Sequence, residues 1–190
     1  KIRCCGSLAH HLGKNEEADQ DFINNINTWY DEYLKGNLDA ILSNTSGCGT
    51  TMKDYGFIFR DDKKMKKKAK KISELTKDVS EYLSESLNLK FENKEKKIKI
   101  AYHSACSMQH GQKVHNQPIN LLAKTKNEIL EIPEGHICCG SAGTYNILQS
   151  KIAKELLKNK VKNIESLEPQ VISTGNIGCI TQIANGTNIP

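Results

Sequence analysis

Apolar positions along this chain alternate between two periods, and the alternation recurs. Residues 15–34 place Phe22, Ile26, Trp29, Tyr30, Tyr33 and Leu34 on one helical face, and Gly36-Asn37 supplies a stop. Residues 38–43 (LDAILS) read as a short apolar strand that runs into Ser46-Gly47-Cys48-Gly49. A helix is then predicted from near Cys48 to Phe59. Residues 63–89 read as one long amphipathic helix, with Ile72, Leu75, Val79, Tyr82, Leu83 and Leu87 along its apolar stripe. The charged, non-periodic residues 91–97 read as a linker.

The pattern then resumes. Residues 97–102 (KIKIAY) alternate as a strand does and lead into His103-Ser104-Ala105-Cys106. Residues 116–126 fit a helix with Pro118 in its first turn, where the missing amide costs nothing. Residues 128–132 form a second short strand, stopped by Pro133 and followed by the loop His136 to Tyr145 (HICCGSAGTY). A helix over 144–164, a strand over 170–174 and a last helix over 180–184 complete the chain.

Strands alternating with helices predict an α/β fold with parallel sheets, and the cysteines fall at the carboxyl ends of the strands, where such sheets collect ligands. The Cys-Cys-Gly triplet occurs twice, at Cys4-Cys5-Gly6 and Cys138-Cys139-Gly140. Residues 38–48 align without gaps on residues 169–179, placing Ile41 on Ile172, Gly47 on Gly178 and Cys48 on Cys179. This is a repeat of whole units. The expected organisation is two pseudo-repeated CCG units with flanking helices, residues 1–90 and 98–190, joined by the linker 91–97. Residues 1–3 read as the tail of a strand delivering Cys4 and Cys5, so the first copy is expected to be N-terminally truncated, with its first cysteine upstream.

Composition narrows the class. Across 190 residues, 37% are hydrophobic and 26% charged, as in a globular chain. No apolar run approaches the roughly 20 residues that span a bilayer. The net charge of +5 comes almost wholly from lysine, without interleaved aromatics or a nucleic-acid-binding motif, so no nucleic-acid partner is expected. The dense run at residues 63–71 (KKMKKKAKK) reads as a solvated helical face.

Seven cysteines without a secretory segment point to a reducing compartment, where thiols serve as ligands or catalytic groups. Adjacent cysteines cannot readily bridge each other, but they can present two soft donors to one metal centre. The second copy carries Cys106, then Cys138 and Cys139, then Cys179. Four thiolates suit a 4Fe-4S cluster and equally a closed zinc site. Gly140 and Gly178, like Gly6, Gly47 and Gly143, are expected as turn residues that let backbone amides approach sulfur. His103 and His110 flank Cys106 and read as loop residues, with hydrogen bonding to sulfur as a second role. His10 and His11 follow the first CCG; ligation by them in place of the missing thiolate is the minor reading, because imidazole ligation of iron-sulfur clusters is uncommon. The GSAG of Gly140 to Gly143 is no dinucleotide fingerprint, so any flavin belongs to another chain.

The order cysteine, spacer, CCG, spacer, cysteine resembles the cysteine-rich CCG repeat of heterodisulfide reductase, succinate dehydrogenase and lactate-utilisation iron-sulfur proteins. CCGSAGTYN from Cys138, SGCGTTMKDYG from Ser46 and GNIGCITQI from Gly175 are more similar still to the iron-sulfur subunits of glycolate oxidases. The resemblance implies one centre on Cys106, Cys138, Cys139 and Cys179, and a second on Cys4, Cys5 and Cys48. It implies an electron-transfer subunit of a flavoenzyme complex that oxidises glycolate to glyoxylate. Hydride chemistry would take place on FAD in partner subunits, and electrons would pass to a quinone-type acceptor. The expected location is the cytoplasm, with peripheral association at the inner face of the plasma membrane. A lactate-utilisation subunit, or a scaffold with zinc in one repeat, is the alternative.

The family often has a second cysteine three residues after the last, where this chain has Thr51 and Gln182. That departure ranks heterodisulfide cleavage last. Around Cys106, the family's aspartate, proline and histidine are replaced by Ser104, Ala105 and Ser107.

Overall fold

A computed structural model describes residues 3–86, 89, 91 and 97–190. The chain divides into two compact units, Lys1–Val79 and Ser80–Pro190. Lys1 and Ile2 of the expected strand tail, Leu87 at the end of the expected long helix and most of the linker 91–97 lie outside the described residues.

In the first unit a short helix α1 (Ser7–His11) precedes α2 (Asn15–Leu34). The apolar face of α2 sends Phe22 and Ile26 into a core with Tyr55, Phe59, Ala69 and Ile72. Strand β1 (Ile41–Ser43) feeds α3 (Ser46–Ile58), which begins two residues before Cys48. The expected helix over 63–89 is broken. It comprises α4 (Lys66–Leu75), strand β2 (Thr76–Asp78) and α5 (Val79–Ser86), of which α5 belongs to the second unit from Ser80 onward. Thr76 turns extended, at φ −79° and ψ 125°, and β2 pairs in parallel with β1, Ile41 opposite Thr76. Helical periodicity through this stretch is overridden because β1 needs a partner for its backbone groups. The lysine run is mostly solvent-exposed, with Met65 and Ala69 facing inward.

The second unit is built on three parallel strands in the order β4, β3, β5, where β3 is Lys99–His103, β4 is Glu128–Glu131 and β5 is Val171–Thr174. The expected α/β architecture with parallel sheets and flanking helices is therefore present in both units, on two small sheets. Helix α6 (Asn116–Ala123) connects β3 to β4. The predicted helix over 144–164 is split into α7 (Tyr145–Leu148) and α8 (Ser150–Glu165) at Gln149, whose φ of −122° is not helical. Helix α9 (Ile177–Ala184) begins three residues earlier than periodicity suggested, because Asn176 caps it. A π-helical segment, Ser107–Gln112, follows Cys106 and had no counterpart in the sequence pattern. Ala101, Met108, Val114, Ile132, Ile164 and Ile183 form the core, together with Cys139 and Cys179.

Candidate metal centre

Three strand ends in the second unit deliver four thiols to one place. β3 ends at His103, and the chain reaches Cys106 three residues later. The loop after β4 carries Cys138 and Cys139. β5 leads into α9, whose third residue is Cys179. The first unit repeats this last arrangement, since Cys48 is the third residue of α3 after β1.

Local chemistry fixes each position. The Asn176 side chain accepts the N–H groups of Gly178 and Cys179 at 2.9 and 3.2 Å, which anchors the first turn of α9. Gly178 thus belongs to a helix start and Gly47 to the first turn of α3, whereas Gly140 occupies a true left-handed turn, with φ +92°. A Cβ at Gly140 would sit 2.5 Å from the carbonyl oxygen of Ala153, so only glycine lets α8 pack beneath the CCG loop. The Gly140 N–H donates to Cys138 Sγ at 3.2 Å.

The sulfurs form a relay. Cys139 donates to Cys179 across 3.4 Å. Cys138 is pulled well below the usual thiol range by hydrogen bonds from Cys106 first and Cys139 second. Cys106 and Cys139, as the donors, are pushed up. Cys179 is lowered to about 6 by the bond from Cys139, against burial, with the His103 imidazole adding to the effect. These shifts favour the thiolate form at Cys138 and Cys179, the form that binds metal.

Two further groups shape this site. His103 is a strand residue, 2% exposed, and its ligand nitrogen lies within 4.8 Å of the Cys139 and Cys179 sulfurs. That corrects its reading as a loop residue. Lys160, also 2% exposed, donates to the Glu134 carbonyl at 3.1 Å, and its charge is felt by Cys139, Cys138 and Cys179. Burial outweighs those thiols and lowers its pKa. A signal for Lys160 was present in the sequence: it lies in register with Ala153, Val161 and Ile164 on the buried face of α8.

In the first unit, Cys5 and Cys48 are hydrogen-bonded. Cys48 is lowered to about 7 by the bond from Cys5, and Cys5 is pushed up in return. Cys4 is exposed and close enough for its charge to act on Cys48. The backbone of the pair is pinned: Tyr55 Oη donates to the Cys5 carbonyl at 2.9 Å, and buried Asn25 donates to that of Cys4 at 2.8 Å. At the two positions where the resemblance led to an expectation of a further cysteine, Thr51 donates to Ser7 at 2.9 Å and Gln182 accepts from Asn146 at 3.4 Å. His10 packs edge-on against Phe22, with ring centroids 5.6 Å apart. Both predicted sets of cysteines are thus brought together, each within its own unit.

Parallel α/β units that gather thiols at their strand ends define a cysteine-rich module for soft ligands. The model of the cysteine-rich domain family (CCG) matches residues 1–53 and 100–184, and the chain belongs to that family. It is 36% identical over 182 residues to the glycolate oxidase iron-sulfur subunit of Escherichia coli K12, covering 96% of this chain and 44% of the relative. A probable glycolate oxidase iron-sulfur subunit of Bacillus subtilis is 29% identical, with 96% and 41% covered. Lactate utilization protein A of the same species is 26% identical, with 95% and 74% covered. The chain thus spans about two fifths of the length of these glycolate oxidase subunits.

Proposed function

We propose that the second unit binds a 4Fe-4S cluster through Cys106, Cys138, Cys139 and Cys179, and that the chain is the electron-relaying part of a glycolate-oxidising flavoenzyme complex. The convergence of four thiols from three strand ends carries this reading. The donor set fits the group, since thiolates are the ordinary ligands of such clusters and the surroundings favour the thiolate at Cys138 and Cys179. The cluster, when bound, would supply one-electron chemistry. The chain's own residues hold it, shield it through burial of Cys139 and Cys179, and place the Lys160 charge nearby. FAD on partner subunits would take the hydride from glycolate, and a quinone-type acceptor would receive the electrons. Ile147, Leu148 and Ile177, 76%, 72% and 63% exposed on the elements that follow the CCG loop and carry Cys179, suit a partner surface. Among the described residues, no helix is long and apolar enough to cross a membrane; we place the chain in the cytoplasm, peripheral to the inner membrane face.

Cys4, Cys5 and Cys48 would serve a second centre that needs one more donor. A lactate-oxidising complex is the competing assignment, supported by the likeness to lactate utilization protein A.

A zinc scaffold is the second reading, and one observation favours it. Two thiolates sharing one tetrahedral ion at about 2.3 Å lie roughly 3.8 Å apart, close to the 3.4 Å between Cys139 and Cys179. Metal and acid-labile sulfide content, measured on protein prepared without oxygen and on Cys139→Ser, separates the two. About four irons and four sulfides per chain, lost in the variant, support the cluster. Zinc without sulfide overturns it.

A further inference from the structure

We infer that His103 is a metal ligand of the second unit, so that the centre there is a mixed thiolate and imidazole site. This rests on the proposal that Cys139 and Cys179 hold metal, and it puts the imidazole in the place of one of the other two thiolates, since either centre takes four protein ligands.

Topology puts the imidazole in place. His103 ends the central strand β3, two residues beyond Ala101, and so shares its face of the sheet. Ala101 is fully buried in the same core cluster as Cys139 and Cys179. The histidine is therefore aimed at the sulfurs by the pleat. One nitrogen of His103 and the two sulfurs all lie within 4.8 Å of one another, a compact group that a single ion can span.

The second observation is unsatisfied polarity. His103 Nδ1 is buried without a protein partner, and so is the hydroxyl of Thr174, the residue paired with His103 across β3 and β5. Leaving a buried polar atom unpaired is costly, and two adjacent ones at the carboxyl edge of a parallel sheet mark a place where a ligand is expected. Metal bound at Nδ1 would end the penalty at His103, and a metal-bound sulfur would accept from the Thr174 hydroxyl.

X-ray absorption at the metal edge tests this directly. The protein would be the full chain carrying Cys5→Ser and Cys48→Ser, prepared without oxygen, so that only the second unit contributes. If it emerges metal-free, it is loaded with iron(II) and sulfide. A nitrogen scatterer among sulfurs in the first shell, absent in His103→Ala, is the expected result. The same variant should release metal to a chelator at least about tenfold more readily, by the scale of lost site groups. His103→Cys should retain metal with a sulfur-only shell, which shows that the position itself supplies a ligand. A sulfur-only shell in the parent overturns the inference, whichever metal is found, while the iron and sulfide count judges the cluster separately. A parent that takes up no metal overturns both.

Discussion

Replacing Gly140 by alanine isolates the reason the CCG triplet ends in glycine. The added methyl meets two costs. At φ +92° an L-residue is forced into left-handed space, about 1–2 kcal/mol. The Cβ would also lie 2.5 Å from the Ala153 carbonyl oxygen and 3.1 Å from its Cα, both backbone atoms of α8 that cannot rotate away. Shifting a packed helix to relieve such overlap costs about 1–3 kcal/mol more. The sum, roughly 2–5 kcal/mol, corresponds to a fall in Tm of roughly 10–20 °C for a unit of about a hundred residues. Gly143→Ala is the control. Its φ is +53° and no atom lies within 4 Å of the new methyl, so only the left-handed cost applies, about 4–8 °C. Thermal unfolding of the metal-free chain, followed by far-ultraviolet circular dichroism, reads both. Equal Tm values for the two variants would refute the argument that close packing of α8, and not turn geometry alone, demands Gly140.

Asn176→Ala removes the side chain that accepts from Gly178 and Cys179, and should cost about 1 kcal/mol in denaturant unfolding while Asn176→Asp retains most of it; an unchanged midpoint in the alanine variant would show the cap to be idle. In the metal-free chain, alkylation of Cys48 should rise to half its maximum near pH 7, with Cys5 protected, as peptide mapping can read; Cys5 labelling first would reverse the assignment. The linked stability has a definite sign. Between about pH 7 and 9 the unfolded chain still holds the Cys48 proton that the folded chain has released, so stability from this group is gained as pH rises and lost as pH falls through 7. Above pH 9 the raised Cys5 acts the other way, because the folded chain keeps a proton the unfolded chain loses.

Much of the architecture was written locally. Helix α2 spans Asn15–Leu34, as its apolar spacing indicated, because a helix stripe is a short-range pattern that any window of the chain displays. The repeat was legible too: Cys48 and Cys179 stand at the same place after strands β1 and β5, since the aligned segments encode the same strand and helix start. What failed was decided by partners distant in sequence. Thr76, Lys77 and Asp78 left a helical pattern to pair with a strand thirty-five residues earlier. Lys160 turned inward to reach the carbonyl of Glu134. His103 looked like a loop histidine until β5 came alongside β3 and brought Cys179 with it, from a position seventy-six residues downstream. Sequence fixes which thiols exist and which elements carry them. Only tertiary pairing brings their donors within a few ångströms, because hydrogen bonds between parallel strands are long-range contacts that leave no periodic trace in the chain.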